Sequence, residues 1–296
     1  MHSLLSYNRW SRVLTVFCGN LVEVLKADGE NKLIKYVTAA GLADAILGGT
    51  FTIFAPTDAA FDALGTEAEL LKDTTALANI LKYHVVTGVV PSSAAKNELQ
   101  LETLAGTKIR FNIYSHNNVV TVEGSKITKF DLSATNGVVH VINKVMIPPT
   151  GNIVDLVVGN ADFSTLLAQV QSAGLADALK GDSLTVFAPT NEAFAKLGSN
   201  LIHKITSNHD LLKDILAYHV VPHTEYSAGL YNREFLSTID RHHDVLRLSV
   251  SGSGVRINTL AHVTKADISA TNGVVHVIDH VLIPARYLIS LGFGKK

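Results

Sequence analysis

Residues 133–149 read SATNGVVHVINKVMIPP, and residues 269–285 read SATNGVVHVIDHVLIPA. Thirteen of these seventeen positions are identical, far beyond what shared composition produces. A chain that carries this stretch twice carries one fold twice, because each copy must close its own core. Working outward, Tyr83-His-Val-Val86 returns as Tyr218-His-Val-Val221, and Phe54-Ala-Pro-Thr57 as Phe187-Ala-Pro-Thr190. Asn20-Leu-Val-Glu23 returns as Asn152-Ile-Val-Asp155. The offset drifts only from 132 to 136 residues along the unit, so the insertions are short and belong in loops. A period near 135 exceeds the roughly 20–50 residues of a solenoid repeat and suits a domain. The reading is two tandem domains, residues 20–149 and 150–296, the second ending in a short tail. Residues 1–19 form a leader with no counterpart in the second copy.

The balance of residue types agrees with two globular units. Of 296 residues, 47% are hydrophobic and 17% charged, which suits packed cores rather than disorder. A formal net charge of −1 creates no field that would hold a polyanion, so nucleic acid is not an expected partner. Cys18 is the only cysteine; intramolecular disulfides are excluded, and the compartment stays open. The leader's apolar run, Val13 to Cys18 after Arg9 and Arg12, reads either as a degraded signal sequence or as a plain leader or fragment boundary. No stretch approaches the roughly 18 apolar residues of a membrane span. Nothing in the sequence sets an oligomeric state.

Within each copy, helical periodicity comes first and period-two alternation later. Lys32 to Gly48 places apolar residues at helical spacing, broken by Gly41 and stopped by Gly48-Gly49. Phe51 to Phe54 reads as a buried strand, after which Thr57 and Asp58 can cap a helix over 59–64. Thr74 to His84 lines up Leu77, Ile80, Leu81 and His84 on one stripe. From Leu99 onward the chain alternates, with a turn at His116-Asn117-Asn118 and a last hairpin turning at Asn136-Gly137, a pair that tolerates positive φ. Helices followed by mostly antiparallel strands predict an α+β fold.

Three ordered blocks in each copy resemble the fasciclin domain family. They are Thr52-Ile-Phe-Ala-Pro-Thr-Asp-Ala-Ala-Phe61 with its match at 185–194, the Tyr-His pairs at 83–84 and 218–219, and the Asn-Gly-Val-Val-His-Val-Ile block. The resemblance covers 20–149 and 150–285. It implies a wedge-shaped β-sandwich with a helical layer in each domain, and an extracellular setting in adhesion or matrix proteins.

Tyr83-His84 and Tyr218-His219 end amphipathic helices. The residues read as a buried, hydrogen-bonded imidazole beside a packed ring; the family resemblance adds a role in integrin-dependent adhesion, and the two are compatible. His140 and His276 interrupt apolar strands and must find partners on burial; with Asn136, Gly137, Asn272 and Gly273 they read as a structural motif. A sharper adhesion candidate is Lys213-Asp214-Ile215-Leu216, directly before Ala217-Tyr218-His219. It resembles the Lys-Asp-Ile-Leu part of a fasciclin integrin motif, although Leu212 stands where that motif has Asn. An integrin site generally needs an exposed carboxylate for the receptor's cation. Asp214 supplies one in the second copy, while the first has Asn79, so the second copy is expected to dominate. A solvated helix face is the plainer reading of Asp214.

Thirteen histidines raise the question of metal. His219 and His223 are separated by Pro222, which interrupts a shared helix face. His276 and His280 lie about 13 Å apart in an extended chain, and adjacent His242-His243 point to opposite sides. None has the carboxylate or cysteine companions of a site, so no metal or other cofactor is expected. Nucleophile-elbow, phosphate-loop and dinucleotide-binding patterns are missing, and no enzyme is expected. Pro148-Pro149-Thr150-Gly151 is a short, stiff junction, so the domains should touch rather than swing. The expected function is an extracellular adhesion or matrix protein that binds a cell-surface receptor of the integrin kind or matrix proteins. The alternative is a soluble carrier of a small apolar ligand, a carotenoid or lipid.

Overall fold

The computed structural model describes residues 19–293; the expectations about a signal sequence in the leader fall on residues 1–18 and lie outside the described residues. The first domain runs α1 (Leu21–Asp28), α2 (Asn31–Ala39), α3 (Ala43–Leu47), β1 (Phe51–Pro56), α4 (Asp58–Leu64), α5 (Glu67–Leu70), α6 (Thr74–Tyr83), β2 (Val85–Thr87), β3 (Gln100–Glu102), β4 (Lys108–Tyr114), β5 (Val119–Val122), β6 (Ser125–Ala134) and β7 (Gly137–Ile142). The second repeats the pattern with α7 (Ile153–Val158), α8 (Ser164–Ser172), β8 (Leu184–Pro189), α9 (Asn191–Ala195), α10 (Ser199–Thr206), α11 (His209–Ala217), β9 (Val220–Val221), β10 (Phe235–Ser237), β11 (Val245–Ser251), β12 (Gly254–Ile257), β13 (Ala261–Ala270) and β14 (Gly273–Ile278). It then adds α12 (Ala285–Leu291).

Local sequence explains the boundaries. Asn20 and Asn152 close capping boxes with Glu23 and Asp155, so each domain starts with the same helix signal. Thr57 and Thr190 accept from the N–H groups of Ala60 and Ala193, which starts the helix after each strand. Gly41, at φ +68, splits the helical stretch 32–48 into α2 and α3, since only glycine takes that conformation freely.

Each domain holds one seven-stranded sheet, ordered β2-β1-β7-β6-β5-β4-β3 and β9-β8-β14-β13-β12-β11-β10. All neighbours are antiparallel except β1 with β7 and β8 with β14. Those pairs join the first strand to the last, and the intervening helices make the crossover that parallel pairing requires. In the first domain the sheet folds over on itself, and a bridge between Val86 and Thr103 brings its two ends together. One core fills the fold, with Phe54, Phe111, Val122 and Ile142 from both halves. A second packs α1, α2 and α6 onto β1 and β7 through Leu21, Leu33, Leu81 and Val139. The second domain has the same two cores. The result is an α+β domain: a folded sheet with a helical layer.

Candidate functional site

The Tyr-His pairs are structural staples. In both copies the imidazole Nδ1 donates to the carbonyl four residues back, at 2.8 Å for His84 to Ile80 and 2.7 Å for His219 to Ile215. The Nε2 atoms accept from the N–H groups of Met146 and Leu282, each at 2.9 Å. An amide can only donate, so both rings are neutral Nδ1–H tautomers. Each ring therefore ties the end of a helix to the chain leaving the last strand. Burial drives both imidazoles from the usual 6.5 down to about 4, against the pull of the accepting carbonyl. The Tyr83 and Tyr218 hydroxyls donate to the carbonyls of Lys108 and Val245, at the starts of β4 and β11. Tyr83, His84, Tyr218 and His219 are all buried. All four lie inside the fold at the helix ends, so any bearing they have on a partner is through the shape they give those ends.

The SATNGVVHVI block is equally internal. Asn136 accepts from the Leu21 N–H and donates to the carbonyls of Ile46 and Gly49; Asn272 does the same with Ile153, Leu179 and Gly181. Each pins the start of the domain's first helix against the entry to its first strand. The hairpin register pairs Ala134 with Gly137, so Thr135 and Asn136, rather than Asn136 and Gly137, form the turn. Gly137 is required for another reason. Its φ is +154, and a Cβ there would lie 1.9 Å from the Phe51 carbonyl oxygen; at Gly273 the distance to the Leu184 oxygen would be 2.0 Å. In β6 and β13 a register shift frees the N–H groups of Asp131 and Asp267, which donate to Nδ1 of His140 and His276. The same rings donate from Nε2 to the carbonyls of Val90 and Glu225.

Asp214 is not the exposed carboxylate expected of it. It is 4% exposed, accepts from the Tyr287 hydroxyl, and pairs with Arg241 at 2.9 Å. Its burial has a local cause: α12 of the second domain brings Tyr287, and the 238–244 loop brings Arg241. Asn79, its counterpart, is exposed. Of the Lys213–Leu216 segment, Lys213 alone is exposed; Ile215 and Leu216 are core.

The densest polar site joins the two domains, and sequence reading missed it. Arg110 on β4 is 4% exposed and donates to Glu98, Asp182 and Ser183. Burial works against its charge, and the bonds with Asp182 and Glu98 more than restore it. Glu98 also accepts from the N–H and hydroxyl of Thr224, and Asn112 donates to Thr224 Oγ1 at 2.7 Å. Two aromatic rings interlock beside these bonds. A Cβ on Gly124 would lie 2.4 Å from the ring of Tyr226, and one on Gly229 would lie 2.2 Å from the ring of Tyr114. Tyr226 donates its N–H to the Tyr114 hydroxyl and its own hydroxyl to Glu123, whose carboxyl is raised by burial. Each ring thus covers a glycine of the other domain, and the buried Arg110 charge is paired as burial demands. These residues come from segments 72 to 126 positions apart and differ between the copies, so no repeated motif marks them. Among the described residues no group of three or more His, Cys, Asp or Glu is arranged to hold a metal. Nor is any helix among the described residues long and apolar enough to cross a membrane.

With this geometry in view, the relatives fall into place. The Fasciclin domain family matches residues 29–148 and 161–284, and the chain belongs to that family. It is 34% identical over 241 residues to transforming growth factor-beta-induced protein ig-h3 of Sus scrofa, covering 80% of this chain and 35% of that one. It is 30% identical over 269 residues to Homo sapiens periostin, covering 88% and 32%. The chain thus spans about a third of the length of these relatives. A solved fasciclin domain pair from the insect cell adhesion molecule fasciclin I aligns over 88% of this chain and 99% of that one, with TM-score 0.44 and 22% identity.

Proposed function

We propose that the domain pair is an extracellular adhesion or matrix module that binds a receptor of the integrin kind or matrix proteins and carries out no catalysis. The observation that carries this reading is the interdomain joint, where buried Arg110 and Thr224 bond half-buried Glu98, and Arg110 also pairs with Asp182 at the rim. It ties the two fasciclin domains together through side-chain bonds, and a preorganised surface loses little freedom when a partner binds. The family's usual setting in adhesion and matrix proteins supports the same reading. Because Asp214 is engaged by Tyr287 and Arg241, its part is to position. Lys213, exposed on α11, and the exposed turn Arg241-His242-His243 form the surface a receptor reads. Cell adhesion to the immobilised full chain tests this. Lys213→Ala should weaken adhesion without changing thermal stability; wild-type adhesion no better than a blocked surface would end the proposal.

A second reading, carriage of a small apolar ligand, is favoured by one cleft. It lies in the second domain and holds about 510 Å³, lined by Leu197, Leu201, Ile257, Leu260, Leu288 and Phe293, within the roughly 300–1,000 Å³ of ligand sites. Lys196 and His280 stand in its wall. Titration with a fluorescent fatty acid checks it: saturable binding blocked by Leu201→Trp supports carriage, and binding indifferent to that change rejects it.

A further inference from the structure

The interdomain joint uses two different faces, and each domain possesses both. The gripping face of the first domain is the outer side of β3–β5; the receiving face of the second is built from 182–183, 224–229 and 267–269. Strand registers give the equivalents. Gln100 pairs with Arg110 as Phe235 pairs with Arg247, and Thr121 with Lys126 as Arg256 with His262. Glu98 donates its N–H to Phe111 as Arg233 does to Leu248, both at positive φ. On the receiving side, Thr52 bonds Gly88 and Val90 as Thr185 bonds His223 and Glu225, so Val89 stands for Thr224. Ser92 holds Asp131 as Ser227 holds Asp267.

The second domain's gripping face and the first domain's receiving face are therefore both open. Arg110, Asn112 and Tyr114 are buried by the joint, while their counterparts Arg247, Ser249 and Ser251 are exposed. The open gripping face presents Phe235 at 61% exposure, and the open receiving face presents Val89 at 54%. Arg233, Arg247 and Arg256 are exposed there and make no ion pair among the described residues. The open receiving face has exposed Asp131, and exposed Asp44 lies on the helix leading into its 48–50 corner; the signs are complementary.

We propose that the chain binds a second copy of itself head to tail, the outer face of β10–β12 of one copy gripping the 49–50, 89–92 and 130–131 face of the next. The contact continues an interface that the molecule already makes once. It is the weaker of the two, because the aromatic lock is not repeated: Ser251 replaces Tyr114 and Pro91 replaces Tyr226. Joining unlike faces, it does not close on itself as a two-fold dimer does, and it allows chains longer than two.

Sedimentation of the full chain tests this between about 10 µM and about 1 mM, the range of weak interfaces. Average mass should rise with concentration. Phe235→Glu, in one face, and Val89→Arg, in the other, should each weaken association at least about tenfold, with circular dichroism confirming the fold. Mixing the two variants should restore association but stop at dimers, since each retains one working face. A monomer at every concentration overturns the proposal, as does association that survives both changes or a mixture that fails to recover.

Discussion

Around their histidines the two domains repeat one another bond for bond; across their outer sheet faces they part company. His84 and His219 make the same two hydrogen bonds, as do His140 and His276. On the outer face, β4 buries Arg110, Asn112 and Tyr114 where β11 exposes Arg247, Ser249 and Ser251. The difference separates two kinds of requirement. A staple that closes a core is needed in every copy, so it is duplicated. A contact between unlike faces needs each of its halves once, so duplication relaxes the other half.

The sharpest way to break the internal half of this comparison is at the glycines that open β7 and β14. A Cβ at either lies about 2 Å from a backbone oxygen, and backbone cannot step aside as a side chain can. Gly137→Ala and Gly273→Ala should each cost about 3 kcal/mol or more, measured by chemical denaturation. Unequal costs in the two copies would show that the shared geometry is not a shared requirement.

Acid titration probes the staples next. His84 and His219 have folded pKa values of about 4 against 6.5 unfolded, so the unfolded chain binds more protons between those values. Each contributes stability that is complete above pH 6.5 and lost as pH falls towards 4, about 3 kcal/mol for each ring. Each domain also buries a glutamate with the opposite slope. Desolvation, aided by Asp28 and Asp58, raises Glu30 to about 7, and desolvation does the same to Glu234 despite the Tyr231 N–H. Their folded forms bind more protons, so they favour folding below 4.5 and lose that benefit as pH rises through 7. Histidine and glutamate nearly cancel between pH 4.5 and 6.5. Replacing both glutamates, Glu30→Gln with Glu234→Gln, should uncover a steep fall in melting temperature on acidification, and a profile as flat as the wild type's would refute the assignment.

The joint comes third. Gly229→Ala pushes a Cβ into the Tyr114 ring, an overpacking worth about 2 kcal/mol, and should separate one cooperative melting transition into two. The matched change Gly252→Ala, in the open turn after β11 where nothing lies within 4 Å, should leave melting as it is. A single transition in both variants would mean the domains are not coupled through this contact.

How much of this was readable follows from the same division. The capping threonines and the split at Gly41 are local and leave a mark within about ten residues, while the repeat and the order of helices before strands are patterns the chain spells out directly. The histidine staples were half visible: a polar residue in an apolar stretch announces a partner, but not that the partner is Met146 or Val90. The turn was misplaced by one residue because Asn-Gly has a second use, close backbone approach, that looks the same in sequence. Asp214 was misread because the residues that bury it, Arg241 and Tyr287, lie far along the chain. The joint left no mark, since only folding brings Glu98, Asp182 and Thr224 together.

Asp214 also supplies the smallest and most discriminating test. Asp214→Asn keeps an oxygen for the Tyr287 hydroxyl but gives up the charge that faces Arg241, whose side chain is 54% exposed. Solvent screens such a pair, so the loss should be about 1 kcal/mol, measured by chemical denaturation of the full chain. The reciprocal change, Asn79→Asp, sits on an exposed helix face and should shift stability by less than about 0.5 kcal/mol. If the carboxylate served a receptor directly, Asp214→Asn would abolish adhesion while Arg241→Ala, by freeing the oxygen, would raise it. If it positions the surface, both changes weaken adhesion together, because both loosen the loop that carries His242 and His243.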